Sequence, residues 1–115
     1  MHGGLVVKHN ANQRYATDGL TAFLFRELGR AAGVPVQEFV VRSDLACGST
    51  IGPIISANTG IRTVDVGAPM LSMHSIREMC SAADVGHAIT HFTAVYDGFT
   101  SLDARACAEG HARVD

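Results

Sequence analysis

Apolar residues recur along the chain in short runs and in helical periods, a pattern that predicts strands alternating with helices. Residues 5–8 form a short apolar run that is typical of a strand. Residues 20–31 follow a helical period directly after Thr17 and Asp18, which are two candidate N-cap residues. Gly33 ends this predicted helix, because glycine readily adopts the backbone conformation found beyond helix C-termini.

The second half of the chain continues the alternation. Residues 38–41 and 61–66 are predicted to be strands, with a short helix between them at residues 51–58. A longer helical period predicts a further helix from residue 81 to residue 96. The stretch from Gly98 onward has weak periodicity, so we expect it to fray.

Strands that alternate with helices predict an α/β layered fold with a mixed or partly parallel sheet. In such folds, ligands gather at the loops that follow the carboxyl ends of strands. The predicted strands are followed by three loops rich in polar side chains: HNANQRYAT, RSDLACGST and GAPMLSMHS. We therefore expect any functional site to be built from these loops.

Composition narrows the classes of function. The 115 residues are 47% hydrophobic and carry a formal net charge of -2, which fits a globular domain and favours neither nucleic acid nor membrane as a partner. No apolar run approaches the roughly 20 residues of a membrane helix. The cysteines are odd in number and form no CxxC pair, so we expect a reducing, cytoplasmic location: Cys47, Cys80 and Cys107.

His74 is a candidate metal ligand in the loop after the third predicted strand. A neutral imidazole there can offer one ring nitrogen to zinc while the other is fixed by a hydrogen bond. The alternative is a polar loop histidine that is hydrogen-bonded and chemically inert, and spacing alone leaves both possibilities open.

His87 and His91 have the i, i+4 spacing of the two histidines in metalloprotease HExxH helices. The glutamate that acts as general base in that motif is absent, because Ala88, Ile89 and Thr90 separate the pair. We therefore reject the pair as a catalytic site and expect a solvated helix face.

Lys8 ends the first predicted strand, and Tyr15 follows it closely. A cation at a strand end can bind a carboxylate, and a tyrosine hydroxyl can hydrogen-bond a carboxylate or a reacting carbonyl. The alternatives are a lysine that extends its ammonium into solvent and a half-buried tyrosine. The acidic residues of the chain are scattered, so these side chains alone do not build a complete hydrolytic centre.

Three segments together resemble the C-terminal region of aspartyl aminopeptidases, the M18 family of zinc exopeptidases. They are KHNANQRYATD, VRSDLACGSTIGPI and VDVGAPMLSMHSIREM, and they occur in the family's order and at matching intervals. The resemblance runs from about residue 2 to about residue 103. It implies that residues 1–103 form the C-terminal part of an M18-like catalytic domain, with residues 104–115 as a divergent or frayed tail.

The resemblance also implies roles for single residues. The family removes N-terminal Asp or Glu from peptides with two zinc ions. His74 matches the family's last metal ligand, and Lys8 matches the lysine that receives the acidic side chain of the substrate. Tyr15 matches a tyrosine that faces the substrate near the metals. Residues 48–50 match a loop that lines the same cleft.

In the family, the other metal ligands and the catalytic carboxylate lie upstream of the region that this chain resembles. We therefore assign no catalytic residue here and expect the chain alone to be inactive or nearly so. The family forms large homo-oligomers, so the alternative function is a non-catalytic assembly or regulatory fragment of such an enzyme. A small α/β binding module with a chance resemblance is a third possibility.

Overall fold

A computed structural model describes residues 1–12, 14–42, 44 and 48–112, with the backbone alone at residues 111 and 112. Within these residues, strands and helices alternate in the first half, and a hairpin and a long helix complete the second. The elements are β1 (Leu5–Asn10), α1 (Gly19–Ala31), β2 (Val36–Val41), α2 (Ile51–Thr59), β3 (Val66–Gly67), β4 (Met70–Leu71), β5 (Met79–Cys80) and α3 (Ala82–Ala112).

The main sheet has the order β2-β1-β3 and is mixed. β1 and β2 are parallel, with Leu5 opposite Val36 and Asn10 opposite Val41. β3 is antiparallel to β1, with Val66 opposite Val7. The mixed α/β fold predicted from the sequence is therefore confirmed.

The third predicted strand is much shorter than expected. Only the end of the range 61–66 enters the sheet, as β3, and the residues before it lie outside the strand ladder. Because β3 is antiparallel to β1, the loop after it leaves the sheet beside Val6, at the opposite end of β1 from Asn10. The loop that contains His74 therefore does not start at the edge where the parallel strands β1 and β2 end.

Asp18 begins α1 with a reciprocal cap, as its position in the sequence predicts. Its carboxylate accepts a hydrogen bond from the Thr21 N–H at 2.8 Å, and the Thr21 hydroxyl accepts from the Asp18 N–H at 3.0 Å. The apolar face of the helix then packs on the strand side chains that point toward it. These residues form the core of the domain: Leu5, Val7, Ala22 and Phe25.

α3 is 31 residues long and continues past Gly98, where the sequence predicts fraying. A Cβ at Gly98 would lie 2.8 Å from a methyl carbon of Leu28, so glycine here permits close packing against α1 rather than ending the helix. One turn later Leu102 is 8% exposed and packs with Leu24 and Leu28. This contact explains why the helix persists.

The first turn of α3 is tied to the residues before β1. The carboxylate of Asp84, which is 1% exposed, accepts hydrogen bonds from the N–H groups of His2 and Gly4, both at 2.9 Å. Burial alone would raise the pKa of Asp84, but these two N–H donors outweigh it and hold the pKa below its ordinary value.

None of the helices in the described part of the chain has the length and apolar character needed to cross a membrane.

Candidate functional site

Lys8 and Tyr15 lie side by side in the structure. The Lys8 ammonium lies 5.6 Å from the centroid of the Tyr15 ring, within the range of a cation–π interaction. A Cβ at Gly67 would lie 3.3 Å from the Lys8 Nζ, so the glycine of β3 leaves room for the ammonium. Among the described residues, the ion pairs do not include Lys8. The structure thus places Lys8, which has no ion-pair partner among the residues it describes, next to a tyrosine.

The loop at residues 48–50 lies against the segment that carries Tyr15. The Ser49 hydroxyl donates a hydrogen bond to the carbonyl of Arg14 at 2.9 Å. α2 follows this loop, and a cleft of 260 Å³ separates the helix from the segment after Asn10; its lining includes Tyr15, Thr17, Pro53 and Ser56. Residues 43 and 45–47, including Cys47, lie outside the described residues.

The loops after β1 and β2 do share one edge of the sheet, as parallel strands require. Between them lies an open cleft of 500 Å³ that also touches the N-terminus of α1; it is lined by residues that include His9, Asn10, Asp18 and Arg42. This cleft therefore lies where the parallel strands β1 and β2 end, and polar side chains contribute to its lining.

His74 lies elsewhere, in the turn between β4 and β5 of the separate two-stranded sheet. The residue is exposed and has a φ of 67°, in the left-handed region that few residues other than glycine adopt. Its N–H donates to the Glu78 carboxylate at 2.5 Å, and the Ser75 N–H donates to the Ser72 carbonyl at 3.0 Å. These bonds fix the turn and leave the imidazole on its outer surface.

One imidazole of this kind suits a single position in a zinc shell, but a shell needs further donors. In the described ranges, no group of at least three His, Cys, Asp or Glu residues could hold a metal ion. His74 could therefore contribute to a metal site without being sufficient for one.

The expected solvated helix face is wrong for His91. Its side chain is 0% exposed in the interface between α1 and α3, and its Nε2 lies 2.8 Å from the carbonyl oxygen of Phe25. The helical spacing of the sequence did not show this, because it does not indicate which face of α3 packs against α1. In the structure that face is the one that carries His91. His91 is a packed interface residue.

Asp65 is a residue near the site that the sequence did not single out. The alternation of IRTVDV assigns it to the polar face of a strand, yet its carboxylate accepts a hydrogen bond from the Ala16 N–H at 2.5 Å. No local sequence pattern indicates this contact, because the two residues are 49 positions apart and meet only in the folded chain.

Comparison with known proteins identifies relatives for most of the chain. The family model described as aminopeptidase I zinc metalloprotease (M18) matches residues 1–96. A probable aspartyl aminopeptidase of Ricinus communis is 62% identical over 91% of this chain, and an aspartyl aminopeptidase of Dictyostelium discoideum is 52% identical over 90% of it. Each alignment covers 21% of the relative, so the chain spans about a fifth of the length of these curated relatives.

Solved structures show the same relationship. The aminopeptidase chain in a cryo-EM structure of a complex of Ape4 and Nbr1 matches with a TM-score of 0.85 and 48% identity, over 90% of this chain and 20% of that one. An mApe1 dodecamer from S. cerevisiae matches with a TM-score of 0.73 and 36% identity, over 85% and 21%. The chain therefore belongs to the M18 family of zinc metalloproteases.

Proposed function

We propose that this chain supplies the C-terminal part of the active site of a zinc-dependent aminopeptidase that releases N-terminal Asp or Glu from peptides. The observation that carries the proposal is the Lys8 ammonium, which lies beside Tyr15 and outside the ion pairs of the described residues. In this proposal residues 1–103 are the C-terminal part of a catalytic domain, and residues 104–115 are a divergent tail.

Lys8 would select the first residue of the substrate. An acidic side chain would supply a carboxylate for the half-buried Lys8, which forms no ion pair within the described part of the chain. Such a charge-assisted hydrogen bond stabilises the bound substrate by about 1.5–3 kcal/mol. A substrate that begins with an apolar residue would instead displace water from the ammonium without replacing the hydrogen bonds that the water made. Lys8 would therefore discriminate between substrates in two ways: it attracts an acidic first residue, and it imposes a desolvation cost on an apolar first residue.

Tyr15 would support this selection in two ways. Its ring face attracts the Lys8 ammonium and limits the directions in which the flexible side chain can point. Its hydroxyl, carried by a half-buried side chain, can donate a hydrogen bond to a substrate carboxylate or carbonyl. Both residues would act in binding and orientation.

His74 would fill one position of the metal shell with a neutral ring nitrogen. Zinc bound there would supply Lewis-acid polarisation of the scissile carbonyl and a water of lowered pKa. The position of His74 on the outer surface of its turn leaves the ring open to ligands from another polypeptide segment. The remaining ligands and the general base would come from such a segment.

The surface of the chain supports the view that it works as part of a larger unit. α2 buries none of its residues, and three of its apolar side chains are well exposed: Ile51 at 69%, Ile54 at 61% and Ile55 at 37%. Apolar groups clustered in this way mark a surface that another polypeptide covers. We propose that the chain alone is inactive and that the complete enzyme is a homo-oligomer, as the mApe1 relative is in its dodecamer.

We also propose a cytoplasmic location. Cys80 and Cys107 are both free and exposed in the structure. Exposed thiols persist in a reducing compartment, whereas an oxidising one promotes disulfide formation.

The test is a chimera in which this chain replaces the corresponding C-terminal fifth of the Dictyostelium aspartyl aminopeptidase. Hydrolysis of Asp-, Glu- and Ala-p-nitroanilide is measured with zinc for the chimera and for the 115-residue chain alone. We expect activity from the chimera on the acidic substrates, none after His74→Ala, and none from the chain alone.

Lys8→Met should lower kcat/KM for the acidic substrates by about 10- to 100-fold. For the Ala substrate kcat/KM should stay the same or rise, because the variant also removes the desolvation cost at the ammonium. Arg105→Met, which removes an exposed cation of α3, serves as the matched control and should change neither value. An equal loss on acidic and neutral substrates in the Lys8 variant would refute the selectivity role.

A non-catalytic assembly fragment is the second candidate function, and the surface of α3 favours it. Four large side chains are exposed along one stripe of this helix at spacings of three and four residues: Val85, Ile89, Phe92 and Tyr96. Stable binding of the chain to intact M18 enzyme without a change in activity, together with an inactive chimera, would support this function instead.

A further inference from the structure

Asp65 joins two segments of the candidate site, directly before β3. Its carbonyl accepts a hydrogen bond from the Lys8 N–H at 2.9 Å. Its own N–H donates to the Thr17 hydroxyl at 2.8 Å, and its Oδ2 accepts from the Ala16 N–H at 2.5 Å. One residue therefore connects the strand of Lys8 to the loop that follows Tyr15.

The first turn of α2 lies on another side of the same carboxylate. A Cβ at Gly52 would lie 3.1 Å from Asp65 Oδ2 and 3.4 Å from Oδ1, so the missing side chain lets the helix approach closely. The partial positive charge at a helix N-terminus favours a carboxylate in this position. The loop and the helix together fix where the Asp65 side chain lies.

We propose that Asp65 is a positioning residue that sets the separation between the Tyr15 ring and the Lys8 ammonium. It acts on Tyr15 through the Ala16 N–H and on Lys8 through its own main chain, and it does not bind substrate itself. Its importance for selectivity rests on the proposed function, whereas its effect on the Lys8–Tyr15 geometry does not. Loss of the carboxylate would let the Tyr15 loop move away from β1.

The geometry can be measured by NMR on the chain itself, diluted until it is monomeric. An aromatic ring shifts the signals of protons that lie near its face, so the side-chain protons of Lys8 report their distance from Tyr15. Tyr15→Leu defines the unshifted value. We expect Asp65→Ala to remove most of the shift and Asp65→Asn, which keeps an acceptor oxygen for Ala16, to retain most of it.

Thr17→Val provides a second test of the positioning role of Asp65, because it removes the acceptor of the Asp65 N–H and preserves the side-chain volume. This variant should also reduce the shift, and it decides the question if Asp65→Ala does not fold. A purely structural role would lower stability while the folded molecules keep the full shift. An unchanged shift in the folded variants, or a loss in Asp65→Asn as complete as in Asp65→Ala, would overturn the proposal.

The enzymatic consequence is measured separately in the Dictyostelium chimera. Asp65→Ala should raise KM for Asp-p-nitroanilide more than for Ala-p-nitroanilide, and Asp65→Asn should restore most of the difference. An inactive chimera refutes the proposed function and leaves the NMR result standing. An active chimera with unchanged selectivity in Asp65→Ala refutes the positioning role alone.

Discussion

The imidazole of His91 stacks on the ring of Phe25, with the ring centroids 3.8 Å apart and the planes inclined by 20°. The same histidine directs its Nε2 at the Phe25 carbonyl, while its buried Nδ1 has no hydrogen-bond partner among the described residues. Neutral imidazole satisfies this arrangement with one proton on Nε2. A second proton would place a buried charge at Nδ1 between two helices.

Acid should therefore destabilise the contact between α1 and α3. Burial lowers the pKa of His91 below its ordinary value, and the hydrogen bond to the Phe25 carbonyl opposes this shift only in part. The unfolded chain then binds the proton first as the pH falls. The contribution of neutral His91 is complete above the ordinary value of 6.5 and is lost as the pH falls from there toward the lower folded-state pKa.

Urea unfolding followed by circular dichroism from about pH 8 to about pH 5 checks this expectation. His91→Leu should remove much of the pH dependence in that range. His87→Gln, one turn away on the same helix, should retain it. Equal pH dependence in the His91 variant and the parent chain would contradict the assignment.

Gly29 is expected to be intolerant of any side chain. A Cβ there would lie 2.6 Å from His91 Cε1 and 3.0 Å from a methyl of Val36, and the stacked ring has little room to move. Gly29→Ala should lower the free energy of unfolding by about 1–3 kcal/mol.

Gly86 is the matched control, because it is also helical and a Cβ there meets nothing within 4 Å. Gly86→Ala should stabilise the chain by about 0.5–1 kcal/mol through the better helix propensity of alanine. Urea midpoints that move in the same direction in both variants would rule out the steric explanation.

Asp84 should hold the start of the chain against α3. Asp84→Ala removes the acceptor of the His2 and Gly4 N–H groups, so the amide of Gly4 should exchange with solvent faster. Because the folded-state pKa of Asp84 is depressed, its contribution is present at neutral pH and is lost as acid protonates it.

Hydrogen exchange monitored at Gly4 tests this contribution. Asp97→Ala, at an exposed position of the same helix, is the control and should leave that amide protected. Protection of Gly4 that survives Asp84→Ala would show that other contacts hold the segment.

The exposed apolar face of α2 should make the chain associate when it is alone. Ile54→Lys places a charge on that face at a position that is 61% exposed, so the folded chain should tolerate it. Size-exclusion chromatography should then show a shift from aggregate to monomer. Ser101→Lys, an exposed site on α3, provides a comparison of equal charge, and an equal gain from it would point to net charge rather than to the α2 face.

The elements that are governed by local chemistry were predictable from the sequence. Asp18 and Gly33 bound α1 as the pattern indicates, and β1 follows its apolar run. Beyond Gly98 the weak periodicity indicates fraying, but it does not reveal that this glycine permits close contact with Leu28. β4 and β5 have two residues each, too few for a period to be recognised.

The candidate site also contains residues that the sequence indicates and one that it does not. Lys8 and Tyr15 belong to one short segment, so a sequence motif keeps them together, and the structure places them side by side. Asp65 reaches Ala16 only after the chain folds, and no local pattern carries that contact. The role of His74 stays a prediction, because the described residues contain no group of three His, Cys, Asp or Glu that could hold a metal ion.

The length of α3 has a consequence for insertions and deletions in this chain. Its first turn binds the start of the chain through Asp84, and near its other end Asp103 pairs with Arg62. A helix turns by about 100° for each residue, so deletion of one residue between these points would swing Asp103 away from Arg62. We therefore expect this chain to tolerate insertions and deletions in the intervening turns only in steps that restore the same rotation, so that Asp84 and Asp103 both keep their partners.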